Sequence, residues 1–150
     1  KPAGIETSGS TSVAHVDAQG VTHTVRFTRP SEIRVYVRVD ATVLAGVYPS
    51  EEFATIESAV HQGKPLPSGT YADGPFERDG GAQPPGEDLV RNKVMSAVMS
   101  LPGVVDVSVL NLDIVTPAVA SVNIVADLDE YIDIDIADVT VNLTYVDAVP

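Results

Sequence analysis

The stretch from Gly86 to Val115 constrains the fold more than any other. Within it Val90, Val94, Ala97, Val98 and Leu101 recur at helical spacing, so a helix over Asp88 to Leu101 has one apolar side. Pro102 removes a backbone donor and cannot continue that helix, and Gly103 supplies the freedom to reverse direction. Val105, Val107 and Val109 then alternate with Asp106 and Ser108, which starts a strand with one apolar face. Helix, Pro-Gly corner and strand make one α+β packing unit, and none of its side chains is chemically reactive.

A second strand is written more plainly. From Ile33 to Val43 the apolar residues Ile33, Val35, Val37, Val39, Ala41 and Val43 alternate with Arg34, Tyr36, Arg38, Asp40 and Thr42. Such a strand is covered on one face and wet on the other. Its wet face holds two of only nine basic residues, and so forms a candidate basic strip on an acidic chain. The plainer alternative is that these arginines pair with acids of a neighbouring strand.

The remaining segments fill in around these two. Val13–Val16 and Thr22–Phe27 read as strands of a hairpin turning at Asp17 to Gly20, with His15 and His23 facing each other. Ser50 is placed to cap a helix whose apolar residues are Phe53, Ile56 and Val60, with Glu51 and Glu52 near the positive end of its dipole and Gly63 closing it. Lys64 to Pro85 carries five prolines and four glycines in 22 residues, a connection long enough to be an insertion. Towards the end, Val122, Ile124 and Ala126 predict one strand. Ile132, Ile134 and Ile136 then alternate with Tyr131, Asp133 and Asp135, and Val139, Val141, Leu143 and Tyr145 with Thr140, Asn142 and Thr144. The parity change between Ile136 and Val139 demands a bulge or turn at Ala137-Asp138. The expected class is α+β: a mostly antiparallel mixed sheet, two amphipathic helices on one face, and an N-terminal hairpin. Residues 1–30 are the lead-in and hairpin, and 31–150 are the α+β domain with its insertion at 64–85.

Charge narrows the functional classes. With 21 acidic and 9 basic residues the chain carries a net charge of −12, which repels phosphate backbones, so nucleic acid is not an expected partner. No apolar run reaches the roughly 20 residues of a membrane span. The absence of cysteine removes disulfides and thiolate metal sites. Lys1 at the first position is what a processed chain or a piece of a longer one shows.

Catalytic patterns are equally sparse. His15, His23 and His61 are far apart and in no zinc-binding spacing, and neither a nucleophile elbow nor a phosphate-cradling glycine loop occurs. The acids Asp127, Asp129, Glu130, Asp133, Asp135 and Asp138 lack the turn glycine and final glutamate of a calcium loop, and read better as a solvated or edge-guarding strand face. No enzymatic function, cofactor or metal is expected.

Two segments taken together resemble a known family. Gly20-Val-Thr-His-Thr-Val-Arg-Phe-Thr-Arg-Pro30 with the valine-rich strand after it, and Gly86-Glu-Asp-Leu-Val90 through Leu101-Pro-Gly-Val-Val-Asp-Val107, resemble the carboxy-terminal part of phage baseplate J-like proteins. The Ile134-Asp-Ile-Ala-Asp-Val-Thr-Val141 run looks like that family's last strands. The resemblance implies a structural wedge component of a contractile tail baseplate, from a phage or a prophage. It implies assembly in the host cytoplasm, copies of the chain in a ring, and other wedge proteins as partners. The chain departs from the family pattern at Lys64 to Pro85, where the helices are usually joined more directly. Candidate interface residues are Arg34, Tyr36 and Arg38 on the wet face, Tyr71 and Phe76 in the insertion, and Asp133 and Asp135 near the sheet edge. The alternative is a β-rich module of a secreted or surface protein that binds a carbohydrate or another ligand on its wet face, although the chain has no Trp for stacking.

Overall fold

In a computed structural model, which describes residues 9–49, 55–62 and 85–147, the elements run β1 (Thr11–Val16), β2 (Thr22–Phe27), β3 (Ser31–Arg34), β4 (Tyr36–Leu44), α1 (Ile56–Gln62), α2 (Arg91–Met99), β5 (Val104–Asp113), β6 (Glu130–Asp133) and β7 (Val139–Val146). The class is α+β with strands predominating. β4 is the centre of a three-stranded sheet in the order β5-β4-β7; β3 pairs with β6, and β1 with β2. β1–β2 and β4–β5 are antiparallel, whereas β3–β6 and β4–β7 are parallel. The antiparallel majority expected from the sequence is therefore absent among the described pairs. A parallel pair needs a long crossover, and both helices lie in the chain between β4 and β7.

The alternating run at 33–43 is two strands, not one. At Val35 the backbone changes partners: its N–H donates to Asp133 O at 3.0 Å, before it to β6 and after it to β5 and β7. Side-chain alternation survives the change, and Val35, Val37, Val39, Ala41 and Val43 are all buried. They face a core completed by Leu110 and Leu112 of β5, Ile132 and Ile134, and the buried residues Ile56, Ala59 and Val60 of α1 and Val94 and Val98 of α2. α1 packs on β7 and α2 on β5, and the helices touch each other.

Helix α2 starts later than its apolar stripe predicts. Residues 88–90 are engaged elsewhere: Leu89 exchanges backbone hydrogen bonds with Ile124 at 2.9 and 3.1 Å, and the Asp88 carboxylate accepts from Ala126 N. Val90 is extended and has no capping side chain, so the Arg91 N–H donates instead to Asn123 Oδ1 at 2.9 Å. The expected capping residue of α1, Ser50, lies outside the described residues together with Glu51, Glu52 and Phe53. The described start is Ile56, where Thr55 Oγ1 accepts from the Ser58 N–H.

The corner after α2 turns on Gly103. Its φ is +85°, and a Cβ there would lie 2.8 Å from both Tyr48 Cβ and Tyr48 N. Beyond it, β5 departs from simple alternation. Val43 pairs with Val104 and Thr42 with Asp106, Ala41 with Val107 and Asp40 with Val109, so Val105 and Ser108 are each skipped in bulges. The core-facing row is thus Val104, Val107, Leu110 and Leu112, and the expected row of Val105, Val107 and Val109 is corrected: Val105 is 49% exposed.

Two expectations near the end of the chain also change. Residues 122–126 make an isolated bridge at Ile124 and no strand. Ile136 leaves the core and begins a single 3₁₀ turn, Ile136–Asp138, which sits at the parity break between β6 and β7.

Candidate interaction surfaces

The wet face of β4 meets that of β7 with Arg38 beside Thr140, Asp40 beside Asn142 and Thr42 beside Thr144. Arg38 grips Asp40 two residues along its own strand, Nη2 to Oδ2 at 2.8 Å and Nε to Oδ1 at 3.1 Å, and Asn142 Nδ2 donates to Asp40 Oδ1 at 2.7 Å. These partners, Arg38 first and Asn142 next, hold the Asp40 carboxyl below the usual carboxylate range. Arg34 forms a two-toothed pair with Asp138, Nε to Oδ2 at 2.5 Å and Nη2 to Oδ1 at 2.8 Å, and lies over the Tyr36 ring. The Asp138 hydrogen bond raises the Arg34 guanidinium further above its already high range. The proposed basic strip is consequently neutralised, each arginine by an aspartate. Its neighbour-strand alternative fits Arg34 only loosely, since Asp138 belongs to the 3₁₀ turn, and Arg38 pairs within its own strand.

Along this face runs an open groove of about 390 Å³, lined by Tyr36, Arg38, Asp138, Thr140 and Asn142 on the sheet side and by Thr116, Pro117 and Ala118 opposite. The opposing wall is held by Asp113, whose carboxylate accepts from Val115 N, Val119 N and Ala120 N at 3.3 to 3.4 Å. Desolvation works against its ionisation, yet the backbone donors prevail and hold its carboxyl below the ordinary range. Polar side chains dominate the sheet wall, and the set can offer hydrogen bonds but no nucleophile with a base beside it.

The two acids expected side by side on one strand are separated in kind. Asp133 ends β6, partly buried, and burial first and Glu32 next push its carboxyl up. Asp135 is exposed and caps the 3₁₀ turn, its Oδ1 accepting from Ala137 N at 2.9 Å. Nearby, Tyr131 donates its hydroxyl to Glu32, and His61 Nδ1 donates to Ile134 O at 2.8 Å. Among the described residues no three His, Asp or Glu side chains converge as a metal site. Tyr71 and Phe76 lie outside the described residues.

The surfaces that sequence reasoning missed are apolar. β1 and β2 pair with Val13 opposite Val25, Thr11 opposite Phe27 and His15 opposite His23, and touch the other described helices and strands only marginally. Both faces of this ribbon stand open, with Val13, Val16, Val21 and Val25 between 43% and 57% exposed. Its turn is set by Asp17, which accepts from Gln19 N and Val21 N and lies 2.7 Å from His23 Nε2. That His23 contact, then the Val21 donor, holds the Asp17 carboxyl low. A second apolar surface follows β5, where Ile114, Val115, Val119, Val122, Val125 and Leu128 are all exposed, Leu128 by 90%. From Val119 the exposed residues recur every third position, a signal present in the sequence but fitting neither helix nor strand templates.

No protein-family model matches this chain, and no curated protein matches it. No helix among the described residues is long and apolar enough to cross a membrane.

Proposed function

We propose that this chain is a structural component of a contractile phage or prophage-derived tail baseplate, acting by protein–protein assembly in the wedge ring. The observation that carries the assembly half of this reading is the β1–β2 ribbon. A two-stranded ribbon is marginal on its own in water, and this one displays valines on both faces. Such a ribbon is stabilised when another protein covers it. The tail half of the reading rests on the resemblance carried by Gly20 to Pro30, Gly86 to Val107 and Ile134 to Val141.

In this reading residues 1–30 are a lead-in and hairpin arm, and 31–150 are the domain that positions it. The two helices act as amphipathic braces on one sheet face, and the 64–85 insertion is a further contact element. Arg34, Tyr36 and Arg38 contribute as neutral, hydrogen-bonding pairs, and Asp133 and Asp135 as edge acids. The partners are other wedge proteins and copies of the chain, on a virion tail assembled in the bacterial cytoplasm, with no bond chemistry performed.

The test is cryo-microscopy of particles recovered through an affinity tag on the chain, expressed in its own host. Sheath-bearing particles with the tag at the baseplate are expected. Recovery of tagged protein without any tail structure overturns the reading. One observation favours a second reading as a ligand-binding module: the groove beside Tyr36, Arg38, Thr140 and Asn142 is of a size for a small polar molecule. A glycan that raises the melting temperature of the chain, with the rise lost in Asn142→Ala, would favour that module instead.

A further inference from the structure

The two outer edges of the β5-β4-β7 sheet differ in how they are guarded. β5 is blunted by its two bulges, carries Asp106, and at its far end is covered by residues 118–121, with Leu112 N donating to Ala120 O at 2.8 Å. Among the described residues β7 has none of these protections. Its eight residues pair with β4 in unbroken register, Val37 with Val139 through Leu44 with Val146, and no charged residue, proline or glycine interrupts Val139 to Val146. Among the described residues no strand meets its outer edge. Tyr145 and Val146 at its end are 57% and 36% exposed. A regular, uncharged, unguarded edge of that length is the form that accepts an added strand.

The chain also carries the complement. β1 forms one edge of the isolated ribbon, and Thr-Ser-Val-Ala-His-Val is likewise free of charge, proline and glycine, whereas β2 bears Arg26. Charge agrees with the match. Residues 9–30 hold Arg26 and Arg29 against Asp17, two minus one, net +1; residues 121–147 hold seven acids and no Lys or Arg, net −7. β1 shows Val13 on one face and Val16 on the other, so either face can continue the row of Val139, Val141 and Leu143 that β7 packs on the core.

We propose that β1 of one copy adds to the outer edge of β7 in a second copy, so that the ribbon of each molecule completes the sheet of the next. Ribbon and edge are different surfaces, so the contact is head-to-tail and generates a ring when the rotation closes and a filament when it does not. This deepens the assembly reading by naming the partner as the chain itself. It needs no tail to be present, so its failure and that of the baseplate reading are told apart.

Because the chain has no cysteine, introduced thiols are unique labels. Ala14→Cys and Thr144→Cys proteins are prepared separately, then treated with a flexible thiol-specific cross-linker alone and mixed, and the parent chain is followed by sedimentation over a range of concentrations. The expected result is concentration-dependent association of the parent, with cross-linked dimers abundant only in the mixture. Thr144→Lys, at an exposed position, should weaken association at least about tenfold with an unchanged circular dichroism spectrum, and Ala14→Lys should do the same from the ribbon side. A chain that stays monomeric throughout overturns the proposal. So does cross-linking of Ala14→Cys with itself, which marks a ribbon-to-ribbon dimer, or of Thr144→Cys with itself, which marks edge-to-edge pairing of β7. Association that survives both lysine variants in folded form likewise overturns it.

Discussion

Replacing Gly103 by alanine should destabilise the domain far more than the same replacement at Gly46, and the structure says why. Both glycines have positive φ, +85° and +76°, a region that costs an L-residue about 1–2 kcal/mol. At Gly46 a Cβ would meet nothing within 4 Å, so that strain is the whole expected cost. At Gly103 the Cβ would lie 2.8 Å from Tyr48 N and Cβ and 3.1 Å from Val47 C, mostly backbone atoms with little room to move. Tyr48 is itself pinned, 6% exposed with its hydroxyl accepting from Ile56 N at 2.8 Å, and overpacking of this kind adds roughly 1–3 kcal/mol. The sum for Gly103→Ala is about 2–5 kcal/mol. A domain of this size loses roughly 2–4 °C of Tm per kcal/mol, so a fall of about 4–20 °C is expected, against about 2–8 °C for Gly46→Ala. Thermal melts and urea titrations of both variants beside the parent measure this. If Gly103→Ala is no worse than Gly46→Ala, the close approach of the corner to Tyr48 is not what the sequence needs a glycine for.

Three further outcomes follow from the same geometry. Leu110→Ala should cost about 2–5 kcal/mol in urea unfolding, whereas Val105→Ala, in the bulge, should stay within roughly 0.5–1 kcal/mol; the reverse order would refute the register of β5. The depressed Asp113 carboxyl contributes stability above its unfolded value near about 4, and that contribution is lost as pH falls through its lower folded value. The stability difference between parent and Asp113→Ala, taken from urea curves at neutral pH and at successively lower pH, should therefore shrink on acidification; a constant difference refutes the backbone clasp. Arg38→Gln should raise the Asp40 carboxyl pKa towards its ordinary range in a carbon-detected NMR titration, and an unmoved value would deny the pair its role.

The sequence made the core of the fold legible where one periodicity met one neighbour. The stripe Val94, Ala97, Val98, Leu101, the corner at Gly103 and the burial of Val35 to Val43 all follow from spacing alone. What escaped was set by partners remote in the chain. Alternation from Ile33 to Val43 continues through Val35 unchanged, so nothing local marks the exchange from β6 to β5 and β7. The bulges of β5 replace one apolar valine by the next, and a run as rich in valine as Val104 to Val109 hides the slip. The face holding Arg34, Tyr36 and Arg38 was visible, but its neutralisation was not, because Asp138 lies 104 residues from Arg34. The open ribbon escaped for another reason: alternation implies a covered face, and here the described protein supplies no cover.

The donor left over at the start of α2 is satisfied by Asn123, 32 residues further on. A nine-residue helix is too short to persist in water unaided, and Val90 offers it nothing. The helix therefore draws its stability from its packing on β5 and α1, with the Asn123 side chain adding about 0.5–2 kcal/mol at its first turn. A residue outside the helix, 32 positions further on, thus sets how firmly the first turn of α2 is closed.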